Sequence, residues 1–212
     1  MLQIKNLTIT HRKDLRVILD NFNMVLNPGD KAVIIGEEGD GKSTLIRWIY
    51  DPELVDSYAE CEGMRSLGNE RLGFLPQELS KENKGKTLYE FFSEATMFFD
   101  KNPAELAEIA GRFHLNNDFF YGEQEMGSLS GGEKIKAQLM RLLIDEPTVL
   151  LLDEPSNDID IATLDLLEDI INEWKGIVLY VSHDEGLIER TANMVVHIEQ
   201  VMRKTKSRFT VA

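Results

Sequence analysis

Cysteine is almost absent from this 212-residue sequence: the single Cys61 excludes an intrachain disulfide and leaves an ordinary side chain. Histidine is scarce too, and His11, His114, His183 and His197 are scattered without metal-ligand spacing. Six prolines and fifteen glycines form no linker, and no segment repeats. The longest apolar runs, such as Val149 to Leu152, span only a few residues, far from the roughly 20 that cross a bilayer. The start, MLQIKNLTIT, alternates like a strand and lacks the basic head and apolar stretch of a signal peptide. These absences point to one cytosolic domain. Positive charge is also in deficit: 23 Lys and Arg against 37 Asp and Glu give a net charge of -14, which favours solubility and disfavours broad binding to nucleic acid. RKTKSR at 203–208 runs against that trend, as a solvated tail or a contact for RNA or acidic lipid.

What is present suffices for a core, since 42% of residues are hydrophobic. Residues 2–36 read as strands: LQIKNLTIT alternates, VILDNFNMVL ends in the turn NPGD, and KAVIIG is a buried run closing on glycine. An antiparallel start is therefore followed by a core strand. Residues 51–128 turn charged, with helical patches at 87–99 and 103–113, and suggest a mainly helical insertion. IKAQLMRLLI then puts Ile135, Leu139, Leu142 and Leu143 on one helical face, and TVLLLDEP is too apolar to face water on either side. A helix over about 161–174, with Leu164, Leu167, Ile171 and Trp174 on one face, leads to a second buried strand, GIVLYVSHDE. Strand, helix, strand in that order implies parallel pairing.

Three stretches carry chemistry. In GEEGDGKST (36–44), Gly36, Gly41, Lys42 and Ser43 have the spacing of a phosphate loop between a strand and a helix. Its backbone amides face inward, Lys42 reaches the terminal phosphates and Ser43 ligates Mg²⁺. The intervening Glu37, Glu38, Gly39 and Asp40, with Thr44 after them, complete the cradle; its acidic side chains are expected to point outward, yet to weaken nucleotide binding through like charge. In VLLLDEP (149–155), Asp153 is placed to hold magnesium through water and Glu154 to act as general base. In LSGGEK, Ser130 and Glu133 form a capping box, while the consecutive Gly131 and Gly132 weaken a helix start and suit close approach to a ligand.

Taken in order, GEEGDGKST, the glutamine of FLPQE, LSGGEK, VLLLDEP, SNDID and VSHDE resemble the Walker A, Q-loop, signature, Walker B, D-loop and switch motifs of ATP-binding cassette (ABC) ATPases. The resemblance implies an α/β P-loop fold with a mixed sheet core, an N-terminal antiparallel layer and a helical subdomain. The whole chain is then one cassette, with a core at about 1–78 and 141–212 and the subdomain at about 79–140. It implies ATP and Mg²⁺ as cofactors, with the Walker A loop of one cassette capped by Ser130, Gly131 and Gly132 of another, so that a homodimer or a second cassette completes each site. By position, Gln77 touches Mg²⁺ and the attacking water, His183 contacts the γ-phosphate, Asp160 lies at the dimer seam, and His11 takes the place of the aromatic residue that stacks on adenine.

The run from LLLDEPSNDID to VSHDE is most similar to the F subfamily, soluble cassettes that act on ribosomes. Such proteins usually pair two cassettes through a charged linker and carry histidine where Asp158 stands; this sequence holds one cassette. An F-like ATPase working on translation is thus the first expectation. The alternatives are an ATPase subunit docking on a separate membrane permease, hence peripheral at a membrane's inner face, and a noncatalytic ATP-dependent clamp.

Overall fold

Alternating polarity makes Leu2–His11 a strand (β1) with Leu2, Ile4, Leu7 and Ile9 buried on one side. The computed structural model describes residues 1–37 and 39–198, so the basic run at 203–208 lies outside the described residues. β2 (Val17–Leu26) returns antiparallel along β1. In the turn that follows, Gly29 takes φ of 94°, a conformation glycine adopts without strain, and Asn27 N donates to Asp30 Oδ2 at 2.6 Å. The chain then enters β3 (Lys31–Ile35), the glycine-rich loop, α1 (Lys42–Tyr50) and the short α2 (Glu53–Asp56). β4 (Ala59–Ser66) pairs antiparallel with the other edge of β1, closing a sheet of order β2-β1-β4.

A second sheet carries the site. β5 (Leu72–Leu75), β6 (Val149–Asp153), β7 (Ile177–Val181), β3 and β8 (Met194–His197) lie in the order β5-β6-β7-β3-β8, and every pairing is parallel. Antiparallel and parallel pairing are thus divided between two sheets. Every residue of β6 and β7 is buried, as expected of strands covered on both faces. Their side chains alternate between two apolar clusters. Leu150, Leu152, Val178 and Tyr180 join the helices, while Val149, Leu151, Ile177 and Leu179 join α1 and the antiparallel sheet.

Between β5 and β6 stand the helices α3 (Lys81–Lys84), α4 (Leu88–Ser93), α5 (Pro103–Arg112) and α6 (Gly131–Ile144), joined by 3₁₀ turns. Their packing is aromatic: Phe92 and Phe120 meet edge to face at 4.8 Å, with Phe98 and Phe113 buried nearby. α7 (Ile161–Glu173) connects β6 to β7, and α8 (Glu185–Thr191) precedes β8.

Three elements differ from the sequence reading. The segment read as mainly helical contains β4 and β5. β4 leaves only Ala59 fully buried, so backbone pairing to β1 holds it and no apolar alternation announces it. The helix expected over 87–99 stops at Ser93, whose hydroxyl donates to Glu90 O at 2.9 Å, and Met97 N is captured by Asp145 Oδ1 at 3.0 Å. Trp174 is not on the α7 face; it follows the last turn in an extended conformation.

Cys61 sits half-buried on β4, and burial, followed by the nearby Asp56 carboxylate, pushes its thiol up to about 11. Few thiolates form at neutral pH, although a more basic thiolate is intrinsically more nucleophilic. Alkylation by iodoacetamide at pH 8 should therefore run at least about tenfold slower than for a free cysteine, as followed by intact mass.

Candidate functional site

β3 is buried through its centre and ends at Gly36, so the following loop emerges at the carboxyl edge of the parallel sheet. Glycine is required there on steric grounds. A Cβ on Gly36 would lie 2.6 Å from Ile198 O, and one on Gly41 would lie 2.0 Å from Ile18 Cγ2. Gly41 also adopts φ of 88° as the N-cap of α1. Ile18 of β2 thereby packs directly on the loop. The Lys42 ammonium turns back along the loop and donates to Gly36 O at 2.9 Å and Glu37 O at 2.8 Å.

Ser43, one residue on, donates from Oγ to Asp153 Oδ1 at 2.8 Å, joining the first turn of α1 to the end of β6. Asp153 is 0% exposed, and its Oδ2 is buried with no hydrogen bond. Arg47 Nη2 approaches that oxygen at 3.9 Å. Burial pushes the carboxyl up, against the Ser43 hydrogen bond and the Arg47 and Lys42 charges. A buried carboxylate oxygen without a hydrogen-bond donor beside a hydroxyl is a donor set suited to a divalent cation. Mg²⁺ therefore fits these residues.

Glu154 follows immediately, with its backbone in the left-handed region at φ of 51° and its amide donating to Val181 O at 3.0 Å. Such strain in a non-glycine residue is kept only where surrounding structure enforces it. Its carboxylate is 9% exposed; Oε1 stands 3.3 Å from His183 Nε2, and Oε2 is buried without a partner. Burial raises its pKa, the His183 charge opposes this, and neighbouring Asp153 adds to the rise. A carboxylate held more basic than usual beside an open space is chemically a proton acceptor. His183 is 59% exposed.

That space is a cleft of about 700 Å³ running past the loop. The loop and the first turn of α1 contribute Gly39, Gly41, Lys42, Ser43 and Thr44, and Gln77, Glu154, His183 and His11 line it as well. Residues from five separate sequence stretches are thus brought together. Arg16, Ile18, Tyr58 and Asn157 also line it and were not singled out from sequence. Asn157 lies inside SNDID and was within reach of motif reading, whereas Arg16 and Tyr58 carry no local signal.

Ser130, Gly131 and Gly132 are, among the described residues, outside that cleft. Ser130 caps α6: its Oγ accepts from Glu133 N at 3.3 Å, and Glu133 Oε2 accepts from Ser130 N at 2.9 Å. Within this chain the two glycines are required by close packing. A Cβ on Gly131 would fall 2.2 Å from Asp158 O, and one on Gly132 would fall 2.7 Å from Asp160 Oδ2 and 2.8 Å from Thr163 Oγ1. The 154–160 loop, with Asp158 at φ of 58° and Asp160 capping α7 through Thr163 N at 2.9 Å, is packed against the start of α6.

The acidic loop also needs correction. Asp40 does not point outward: it is 1% exposed, its Oδ2 accepts from Glu37 N at 2.6 Å, and its Oδ1 is buried without a partner. The loop closes on itself around a carboxylate because the Glu37 amide needs an acceptor within reach. Glu38 lies outside the described residues.

A strand, a phosphate loop and a helix, with an acidic pair at the end of β6, one strand removed in the same sheet, and a capped glycine pair packed on the loop after it, define an ATP-binding cassette. The chain belongs to the ABC transporter family, whose model matches residues 19–157. Relatives include F-family members. ABC transporter F family member 2 of Arabidopsis thaliana is 31% identical over 92% of this chain and 28% of its own length. The ribosome protection protein VmlR of Bacillus subtilis is 29% identical over 91% of this chain and 33% of its own. The chain thus spans about a third or less of those proteins. An ATP-binding subunit of an ABC transporter superposes with a TM-score of 0.75 at 22% identity, covering 94% of this chain and 86% of that one. A dimeric cassette bound to ADP and Pi gives 0.71 at 21% identity, covering 94% of each. These likenesses carry the fold.

Replacing Asp40 by serine should keep an acceptor for the Glu37 amide while removing a buried negative charge beside the triphosphate position. Asp40→Ser is expected to tighten ATP binding by about tenfold, the scale of one screened charge a few ångströms away; isothermal titration would read it.

Proposed function

We propose that this chain binds ATP with Mg²⁺ in the cleft, hydrolyses it in a sandwich of two cassettes, and works on ribosomes as an F-type protein. The observation that carries the reading is the placement of buried Glu154 beside His183, lining the same cleft as Lys42 and Ser43. Ser43, Asp153 and Gln77 would hold the cation, which supplies charge neutralisation along the phosphates. Lys42 exchanges its two carbonyl acceptors for phosphate oxygens, a stronger charge-assisted pairing. Glu154 accepts a proton from water, helped by a carboxyl already raised by burial. His183 orients that carboxylate from its exposed side.

The separation of Ser130, Gly131 and Gly132 from their own cleft supports a second cassette as the source of the cap. Exposed His183 and an open cleft would gain their water-excluding wall from that partner. The F-type role draws on the F-family relatives and on VmlR, named a ribosome protection protein. One observation favours the permease reading: a groove of about 520 Å³ between the parallel sheet and the helices is lined by Phe74, Leu79, Phe91 and Gln138 and offers a partner an apolar seat.

Glu154→Gln should reduce multiple-turnover ATP hydrolysis by about a hundredfold or more while ATP still binds. Equal rates in both proteins would refute the catalytic assignment. With ATP, the same variant should co-sediment with ribosomal particles; recovery only with membranes would favour the permease reading.

A further inference from the structure

One stretch of the cleft wall is built from groups that hydrolysis does not use. Arg16, in the turn before β2, and Tyr58, just ahead of β4, line it together with His11 and Ile18. Among the described residues the Arg16 guanidinium makes no hydrogen bond or ion pair, and its Nε, like Tyr58 Oη, is buried without a partner. The backbone beneath them is fixed. Arg16 O accepts from His11 N at 2.8 Å, Tyr58 O accepts from Arg12 N at 2.9 Å, and Arg12 Nε donates to Asp56 O at 2.9 Å and Ala59 O at 3.1 Å. Asp14 feels the Arg16 charge without a hydrogen bond to its guanidinium: its Oδ1 accepts from Arg16 N at 3.2 Å and lies 2.7 Å from His11 Nδ1.

A guanidinium only donates, so its match is a ligand edge with adjacent acceptors, whereas a tyrosine hydroxyl can donate or accept. Among nucleobases, guanine presents O6 and N7 together, the pair that arginine grips with two parallel hydrogen bonds; adenine sets a donor amine beside N7. A turn of the Arg16 side chain into the cleft would exchange an unpartnered nitrogen for that grip. We propose that Arg16 reads the nucleobase and that this cleft takes guanosine triphosphate at least as tightly as ATP, with the Tyr58 hydroxyl as a second contact to the base. The proposal rests on the nucleotide reading above and extends its ligand class.

Displacement of a fluorescent ribose-labelled nucleotide by ATP, GTP and inorganic triphosphate tests it on the 212-residue chain. The wild type should bind GTP as tightly as ATP or more so. Arg16→Leu should weaken GTP by about tenfold, the lower range of a bidentate arginine–guanine pair, and ATP by less than about threefold. Arg16→Lys, which keeps the charge but loses the planar fork, should weaken GTP like Arg16→Leu. Weaker binding of GTP than of ATP by the wild type, or unchanged GTP binding by Arg16→Leu, overturns the proposal. So do equal losses for triphosphate and both nucleotides, which would place the Arg16 charge on the phosphates. Binding of ATP without GTP sinks this proposal alone; failure of all three ligands sinks the nucleotide reading with it.

Discussion

The site hangs on the hydrogen bond from Ser43 Oγ to Asp153 Oδ1 at 2.8 Å. It joins the first turn of α1 to the end of β6, two residues 110 positions apart in sequence, at a carboxylate wholly removed from water. An isolated buried charge costs several kcal/mol. One oxygen is satisfied by the serine, and the other has no hydrogen bond, with Arg47 Nη2 at 3.9 Å. The packing of β6 between two apolar clusters is what forces Asp153 into that position. Hydrophobic burial of the strand therefore sets the depth of the carboxylate at its end.

The same strand end determines how Glu154 is presented. The chain leaves β6 through a left-handed residue and is immediately tied to Val181 of β7, so the carboxylate projects from a rigid corner. Its basicity arises from depth, and its orientation from an exposed histidine. Rigid backbone and adjustable partner suit the proton acceptor proposed for this position.

Much of the fold was legible in the sequence because its period is written in side chains. β1 alternates, β6 and β7 are uniformly apolar, and α6 and α7 carry buried stripes under side-chain caps. β4 was not legible, since pairing with β1 supplies its order and its side chains mostly face water. The contiguous parts of the site could be read from spacing: Gly36 to Thr44 and Asp153–Glu154 each bring their chemistry along one short stretch. The inward turn of Asp40 is decided by the loop backbone, and the presence of Arg16 and Tyr58 on one cleft depends on the pairing of β1 with β2 and β4. Neither leaves a pattern along the chain.

The contact between Gly131 and Asp158 O has a consequence for how this sequence can diversify. The loop after β6 and the start of α6 share one surface with no room for a methyl group. A side chain at 131 would have to be accompanied by displacement of the backbone at 158, and the left-handed turn there restricts which residues permit it. These two stretches, 27 positions apart, are thus mutationally coupled. Drift in one narrows what the other can accept, and the pair behaves as a single inherited unit.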